Sequence, residues 1–139
     1  MKTLQTVIIV LVIAVIAFGS GYLLGTAKIF RFKNTISNLK NEIINKDMQL
    51  LLVQIKVDLK EAISNVSGKN FGLAADLISK NRKAISDKIA GFDEQAAAKI
   101  KTVDASLERI AKSIDAMKAA SKEEINLLIK NIDNMLQEK

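Results

Sequence analysis

Residues 48–66 read MQLLLVQIKVDLKEAISNV, and this stretch decides the fold. Its apolar side chains recur in alternating steps of four and three residues, at Met48, Leu52, Ile55, Leu59, Ala62 and Val66. This spacing lines one face of a helix, as in the a and d seam of a coiled coil or of a bundle helix. Because such a face has to be buried against other helices, the stretch predicts an all-α domain.

A short polar turn, Ser67-Gly68-Lys69-Asn70, follows this helix. Gly68 suits the left-handed position that ends a helix, and Asn70 suits the N-cap of the next one. So short a link predicts an αα-hairpin, in which the second helix, about residues 71–90, returns antiparallel to the first. Its apolar residues repeat every seven positions, at Phe71, Ile78, Ile85 and Phe92, with Ala74 and Ile89 beside them.

The third helix is expected to begin after Gly91, with Asp93 as its N-cap. Its apolar seam comprises Ala96, Ile100, Val103, Leu107, Ile110, Ile114 and Met117. The spacing then slips by four residues and resumes at Ile125, Leu128, Ile132 and Met135. The slip is either a stutter inside one continuous helix or the start of a fourth helix.

A capping box at Ser121-Lys122-Glu123-Glu124 coincides with the slip, with Ser121 at the N-cap and Glu124 at N3. We therefore favour a break near residues 119–122. The prediction is an antiparallel three- or four-helix bundle, or coiled-coil hairpin, over residues 47–139. Its helices are expected at about 47–66, 71–90, 93–119 and 122–137.

The composition argues against an enzyme. The chain has no Cys and no His, which removes thiolate nucleophiles, the usual general base near neutral pH and the commonest metal ligands. No glycine-rich phosphate loop occurs, and the paired carboxylates lie at predicted helix starts, where they complement the helix dipole. We expect no catalytic residue, no cofactor and no metal site.

The N-terminal segment is the most apolar part of the chain, because no charged residue occurs between Lys2 and Lys28. A bilayer crossing needs about 20 apolar residues, and a backbone in hydrocarbon has to be helical. We predict a transmembrane anchor at residues 1–27. A cleaved signal peptide is the alternative, but the apolar run exceeds the usual core of about 7 to 15 residues.

Ala17, Gly21 and Gly25 form a stripe of small residues inside the predicted anchor. Such a stripe lets two helix backbones approach closely in lipid. Gly is also simply common in membrane helices, so the stripe is either a helix-packing surface or a reflection of composition.

Residues 28–46 are predicted to form a juxtamembrane helical stalk. Its apolar stripe has no evident partner in the chain, so we expect it to contact a helix of another copy or of another protein. The stripe consists of Phe32, Ile36, Leu39 and Ile43. Basic residues at the start of the stalk can contact lipid headgroups, namely Lys28, Arg31 and Lys33.

The net charge of +6 and the pI of about 9.6 raise the question of nucleic acid as a partner. The basic residues are diffuse and lack interleaved aromatics, which argues against it. The expected partners are the lipid bilayer and other membrane helices. Flanking charges leave the side of the membrane open.

The layout resembles that of many small bacterial proteins with one N-terminal span and a helical-hairpin domain, so we expect the bacterial cytoplasmic membrane. We expect a structural scaffold or accessory subunit of a membrane-associated assembly. The alternative is a membrane-tethered adaptor whose distal bundle binds a soluble or envelope partner.

Overall fold

A computed structural model describes the backbone of residues 2–118 and 120–137, and the side chains of residues 10, 12, 13, 29, 31–118 and 120–137. Four helices account for nearly all of this part, and no strand occurs in it. They are α1 (Lys2–Ser67), α2 (Phe71–Lys88), α3 (Glu94–Asp115) and α4 (Ser121–Gln137), with a 3-10 turn at Ile89–Gly91. The all-α fold is confirmed, and residues after Asp93 form two helices rather than one.

The chain divides into two compact units, Met1–Asn41 and Glu42–Lys139. As far as the structure describes the chain, no helix is both long enough and apolar enough to cross a membrane. The side chains of residues 14–28, which carry most of the predicted span, lie outside that description. The span therefore stays a prediction.

In the second unit, α1 supplies one wall of the hydrophobic core. All six residues of the seam read from positions 48–66 are buried, because the other helices cover this face. Ile44 and Leu51 are buried beside them and extend the contact by one turn. The helix therefore enters the core at residue 44.

The turn between α1 and α2 closes α1 with a Schellman motif. Asn70 N–H donates to the carbonyl of Asn65 at 2.8 Å, and Lys69 N–H donates to that of Val66 at 3.0 Å. The left-handed residue is Lys69, with φ of 61°, and not Gly68 as expected. The prediction placed the cap one residue early because composition favours Gly there, whereas the hydrogen-bond pattern places Lys69 at C′. Asn70 occupies the N-cap of α2, but its side chain makes no capping hydrogen bond.

The buried face of α2 consists of Ala74, Ile78, Asn81 and Ile85. Asn81 is a polar residue, so the repeat of apolar residues from Phe71 to Phe92 did not predict that it would be buried. Both of those Phe side chains are only half-buried, because Phe71 begins the helix and Phe92 lies beyond it, after the 3-10 turn. Asp93 caps α3 as predicted, its Oδ1 accepting from Ala96 N–H at 2.8 Å.

A second Schellman motif ends α3, with Lys118 N–H donating to Ser113 at 3.0 Å and Met117 N–H donating to Ile114 at 2.8 Å. Met117 was expected in the core, but it takes the left-handed position with φ of 49° and is exposed. The break is confirmed, whereas the capping box does not form. The Ser121 hydroxyl instead donates to the Lys118 carbonyl at 2.7 Å, and Ser121 is buried.

Ion pairs connect the helices into a closed bundle. Lys80 Nζ of α2 lies 3.1 Å from Oδ2 of Asp58 in α1. These two residues are equally distant along the chain from Lys69, as in an antiparallel hairpin. On the other side of the bundle, Lys56 of α1 pairs with Asp133 of α4. Successive helices are therefore neighbours, and α4 packs next to α1.

Candidate assembly surface

The predicted membrane-packing stripe, Ala17, Gly21 and Gly25, lies outside the described side chains, and so does Lys28. Within the same segment Val10, Val12 and Ile13 are described, and all three are exposed. Arg31 and Lys33 of the predicted headgroup contact are also exposed. The charged groups of these two residues therefore face solvent.

The predicted stalk stripe is exposed along its whole length. Phe32 is 68 % exposed, Ile36 64 %, Leu39 53 % and Ile43 60 %. Steps of four, three and four residues place these side chains on one face of α1. Single exposed apolar residues are ordinary on protein surfaces, but a contiguous row of large ones is typical of an interaction surface.

Within the second unit, α1 carries further exposed apolar residues that sequence reasoning missed. Leu50, Val53 and Val57 are 66 %, 46 % and 55 % exposed, although they belong to the stretch that builds the core. They were missed because this part of α1 carries apolar residues on two faces. The buried face alone was enough to account for the apolar residues of the stretch. The seven-residue steps from Ile43 to Leu50 and from Leu50 to Val57 were the available signal.

We call this row the outer seam. It comprises Ile29, Phe32, Ile36, Leu39, Ile43, Leu50, Val53 and Val57. These are all the large exposed apolar residues that the structure describes in α1 after residue 28. In heptad notation Ile29, Ile36 and Ile43 occupy a positions and Phe32 and Leu39 occupy d positions.

Lys46 fills the single d position of the outer seam that is not apolar. Its Nζ lies 3.2 Å from Oε1 of Glu42, one turn earlier, and both side chains are largely exposed. The following residue, Asp47, is exposed as well. A basic residue between two acidic ones therefore interrupts an otherwise apolar row.

Some of the bundle's other charges connect its helices. Arg82 of α2 reaches two carboxylates of α3, with Nε 3.0 Å from Asp104 and Nη2 3.4 Å from Glu108. The hydrogen bond from Arg82 to Asp104 raises the pKa of the guanidinium. The hydrogen bond from Lys112, 2.7 Å away, lowers the pKa of Glu108. These groups hold α2 against α3 on the surface of the bundle.

The concave features of the described part are shallow. A groove of about 380 Å³ between α1 and α2 is lined by Glu61, Asn65, Leu73, Asp76, Leu77 and Lys80. Four of these six side chains are exposed, so the groove is open to solvent. A cavity of about 70 Å³ lies between α3 and α4 beside Arg109 and Glu124. Pockets for small ligands are typically deeper and mostly apolar.

No protein-family model matches the chain, and no curated protein or solved structure is significantly similar to it. Among the described residues, the outer seam is the longest row of large exposed apolar side chains, and the opposite face of α1 is buried only from Ile44 onward.

Proposed function

We propose that the chain is a non-enzymatic, single-pass membrane protein that serves as a structural scaffold or accessory subunit of a membrane-associated assembly. It acts by packing helices against other helices. The exposure of the outer seam is the observation that carries this proposal. Large apolar side chains in a continuous row cost free energy in water, and this cost is removed when another helix covers them.

The membrane part of the proposal is supported by the sequence between Lys2 and Lys28, which is uncharged and mainly apolar. In the cell this segment is the anchor, and Ala17, Gly21 and Gly25 allow it to pack closely on another membrane helix. Lys28, Arg31 and Lys33 then lie where lipid headgroups begin. The predicted anchor directly precedes the outer seam in the sequence, so both can engage one assembly.

The proposal is tested by extracting the tagged full-length chain from its native host in mild detergent and identifying what accompanies it by mass spectrometry. The decisive variant carries Ile36→Asp and Leu39→Asp, which place two charges in the outer seam. Asn38→Asp is the matched control, because Asn38 is exposed on the same helix outside the seam. We expect the control to retain the assembly and the double variant to lose at least nine-tenths of it.

The anchor stripe is tested separately by replacing Gly21 and Gly25 with Leu. Bulkier side chains keep helix backbones apart in lipid, so assembly in detergent should weaken. If the wild-type chain is extracted alone as a monomer, or if the seam variant keeps its companions, the scaffold proposal is wrong.

A further inference from the structure

We propose that the outer seam pairs with the outer seam of a second copy of this chain, forming a parallel two-stranded coiled coil over residues 29–57. This inference rests on the proposed function, since it names the partner of the same surface. It also assigns to assembly four residues that lie within the second unit, Ile43, Leu50, Val53 and Val57.

The phase of the seam identifies a helix as its partner. From Ile29 to Val57 the seam positions alternate steps of three and four without interruption for four heptads. A strict seven-residue repeat drifts by about 20° per heptad on a straight helix, or about 80° over this length. Only a partner that supercoils with α1 stays in contact with such a stripe, and that partner is another helix.

The residue types favour two parallel strands. The a positions are Ile29, Ile36, Ile43, Leu50 and Val57, and four of these five are β-branched. β-Branched residues at a favour parallel dimers, particularly with Leu at d, where this chain has Leu39. A single polar residue at an a position fixes register and oligomeric state at some cost in stability, and we infer the same role for Lys46 at d.

Charge complementarity favours an identical partner. In a parallel in-register pair, a residue at d inserts beside the e residue of the facing helix. Lys46 at d would then lie beside Asp47 at e of the second copy, and Lys46 of that copy beside Asp47 of the first. Glu42, 3.2 Å from Lys46 in the same chain, adds a second acidic group. The two-fold symmetry of the pair thus places an acidic residue beside the positive charge of Lys46 in each of the two chains.

The bundle leaves room for the second copy. The α1 residues that face the core, among them Ile44, Met48, Leu52 and Ile55, occupy the b, c and f positions of the same heptads, on the opposite side from a and d. Glu42, Asp47 and Gln54, which border the seam, are exposed. Pairing therefore does not require the core to open.

The area suffices for a stable pair. Eight apolar side chains, each losing on the order of 100 Å² of accessible surface, bury about 800 Å² per chain, which matches a standard protein interface. Each heptad of a coiled coil buries two residues per strand, at a and at d. Four heptads are therefore long enough to form a stable coiled coil.

Cysteine cross-linking in membranes or mild detergent tests the pairing, because the natural chain contains no Cys. Leu39→Cys and Val53→Cys are made separately in the full-length protein, both at d positions. Asn45→Cys is the control, since Asn45 is exposed and lies at neither an a nor a d position. Under mild oxidation we expect both d variants to form covalent dimers of twice 15.2 kDa, at least tenfold more than the control.

An antiparallel pair brings at most one of the two d positions next to its own copy, so cross-linking of only one variant would overturn the inference. The mass of the detergent-extracted chain gives a second test. Ile43→Asp with Leu50→Asp should convert a dimer into a monomer without changing helicity, because both residues are exposed.

Failure of this inference can be told from failure of the proposed function. If the chain neither cross-links nor dimerises, but a different protein is extracted with it and lost in the Ile36→Asp, Leu39→Asp variant, the seam binds that protein and the dimer is wrong. A monomer without any companion would overturn both.

Discussion

Lys69 and Met117 hold the same unusual backbone conformation at the ends of two helices. Their φ values of 61° and 49° lie in the left-handed region, where a Cβ atom costs about 1 to 2 kcal/mol and where Gly is normally found. The six Gly residues of the chain lie elsewhere. Both Schellman motifs therefore form although a residue with a Cβ atom occupies the C′ position. Gly at either position should increase the stability of the bundle.

Replacing Met117 with Gly should stabilise the bundle by about 1 kcal/mol, because the exposed side chain contributes little packing and the strain at φ of 49° is relieved. Denaturant unfolding followed by circular dichroism measures the change. Met117→Ala is the control, since it removes the side chain and keeps the Cβ. Equal stability of the Gly and Ala variants would show that the left-handed conformation carries no cost here.

Asn81 is a polar residue in the core, 1 % exposed, and its Nδ2 has no hydrogen-bond partner among the described residues. Leu has the same branched shape, so Asn81→Leu should raise the free energy of unfolding by about 1 kcal/mol by removing an unsatisfied donor. Asn126→Leu, at an exposed position of α4, should change it by less than about 0.5 kcal/mol. A loss of stability in Asn81→Leu would mean that the amide is satisfied in the core.

Glu108 ties part of the bundle's stability to pH. Its pKa lies below the ordinary value of 4.5, first because of the hydrogen bond from Lys112. A lowered carboxyl pKa in the folded state gives stability that is present above pH 4.5 and is lost as pH falls through the folded pKa. Glu108→Gln should therefore flatten the decline of the melting temperature at acid pH. An identical acid profile in both proteins would contradict this assignment, and the effect is expected to be small because the site is exposed.

The helices differ in how fully their sequence predicted them. The buried seam of α1 and the Asp93 cap of α3 were predictable, because alternating fours and threes and a capping carboxylate are local signals. The break before Ser121 was predictable from the slip, but its hydrogen bonds were not, because Ser121 is buried and its hydroxyl turns back to Lys118. The left-handed positions depend on which carbonyls the turn satisfies, and composition does not reveal this.

Part of the candidate site was also predictable. Phe32, Ile36, Leu39 and Ile43 stand out because no competing seam overlaps them. Leu50, Val53 and Val57 do not, because the stretch that contains them also carries the core residues Leu52, Ile55 and Leu59. A helix with two apolar faces looks like a generally apolar helix, and only tertiary packing decides which face the bundle covers.

Two substitutions in α4 test whether its buried face packs in the core of the bundle. Ile132 is completely buried, so Ile132→Ala should cost about 2 to 5 kcal/mol of stability. Leu127 is exposed on the same helix, and Leu127→Ala should cost less than about 0.5 kcal/mol. Chemical denaturation of both variants measures the difference. Equal losses would indicate that α4 does not pack through the face assigned to it.

At the scale of the whole molecule, each part has its own apolar surface to bury. The second unit buries one face of α1 in its own core and leaves Ile43, Leu50, Val53 and Val57 exposed. The N-terminal segment has no charged residue between Lys2 and Lys28, so no charged side chain favours water over lipid there. The proposal of a membrane-anchored scaffold therefore depends first on whether this segment resides in lipid.

Alkaline carbonate extraction of membranes that contain the tagged full-length chain tests that claim most directly. The comparison is a variant with Val12→Arg and Ile13→Arg, since each Arg at the centre of a span costs about 2.5 to 3.5 kcal/mol. We expect the natural chain to stay in the membrane pellet at full length and the variant to be released. Release of the natural chain by carbonate would contradict the anchor, and with it the account of this protein as a membrane-bound scaffold.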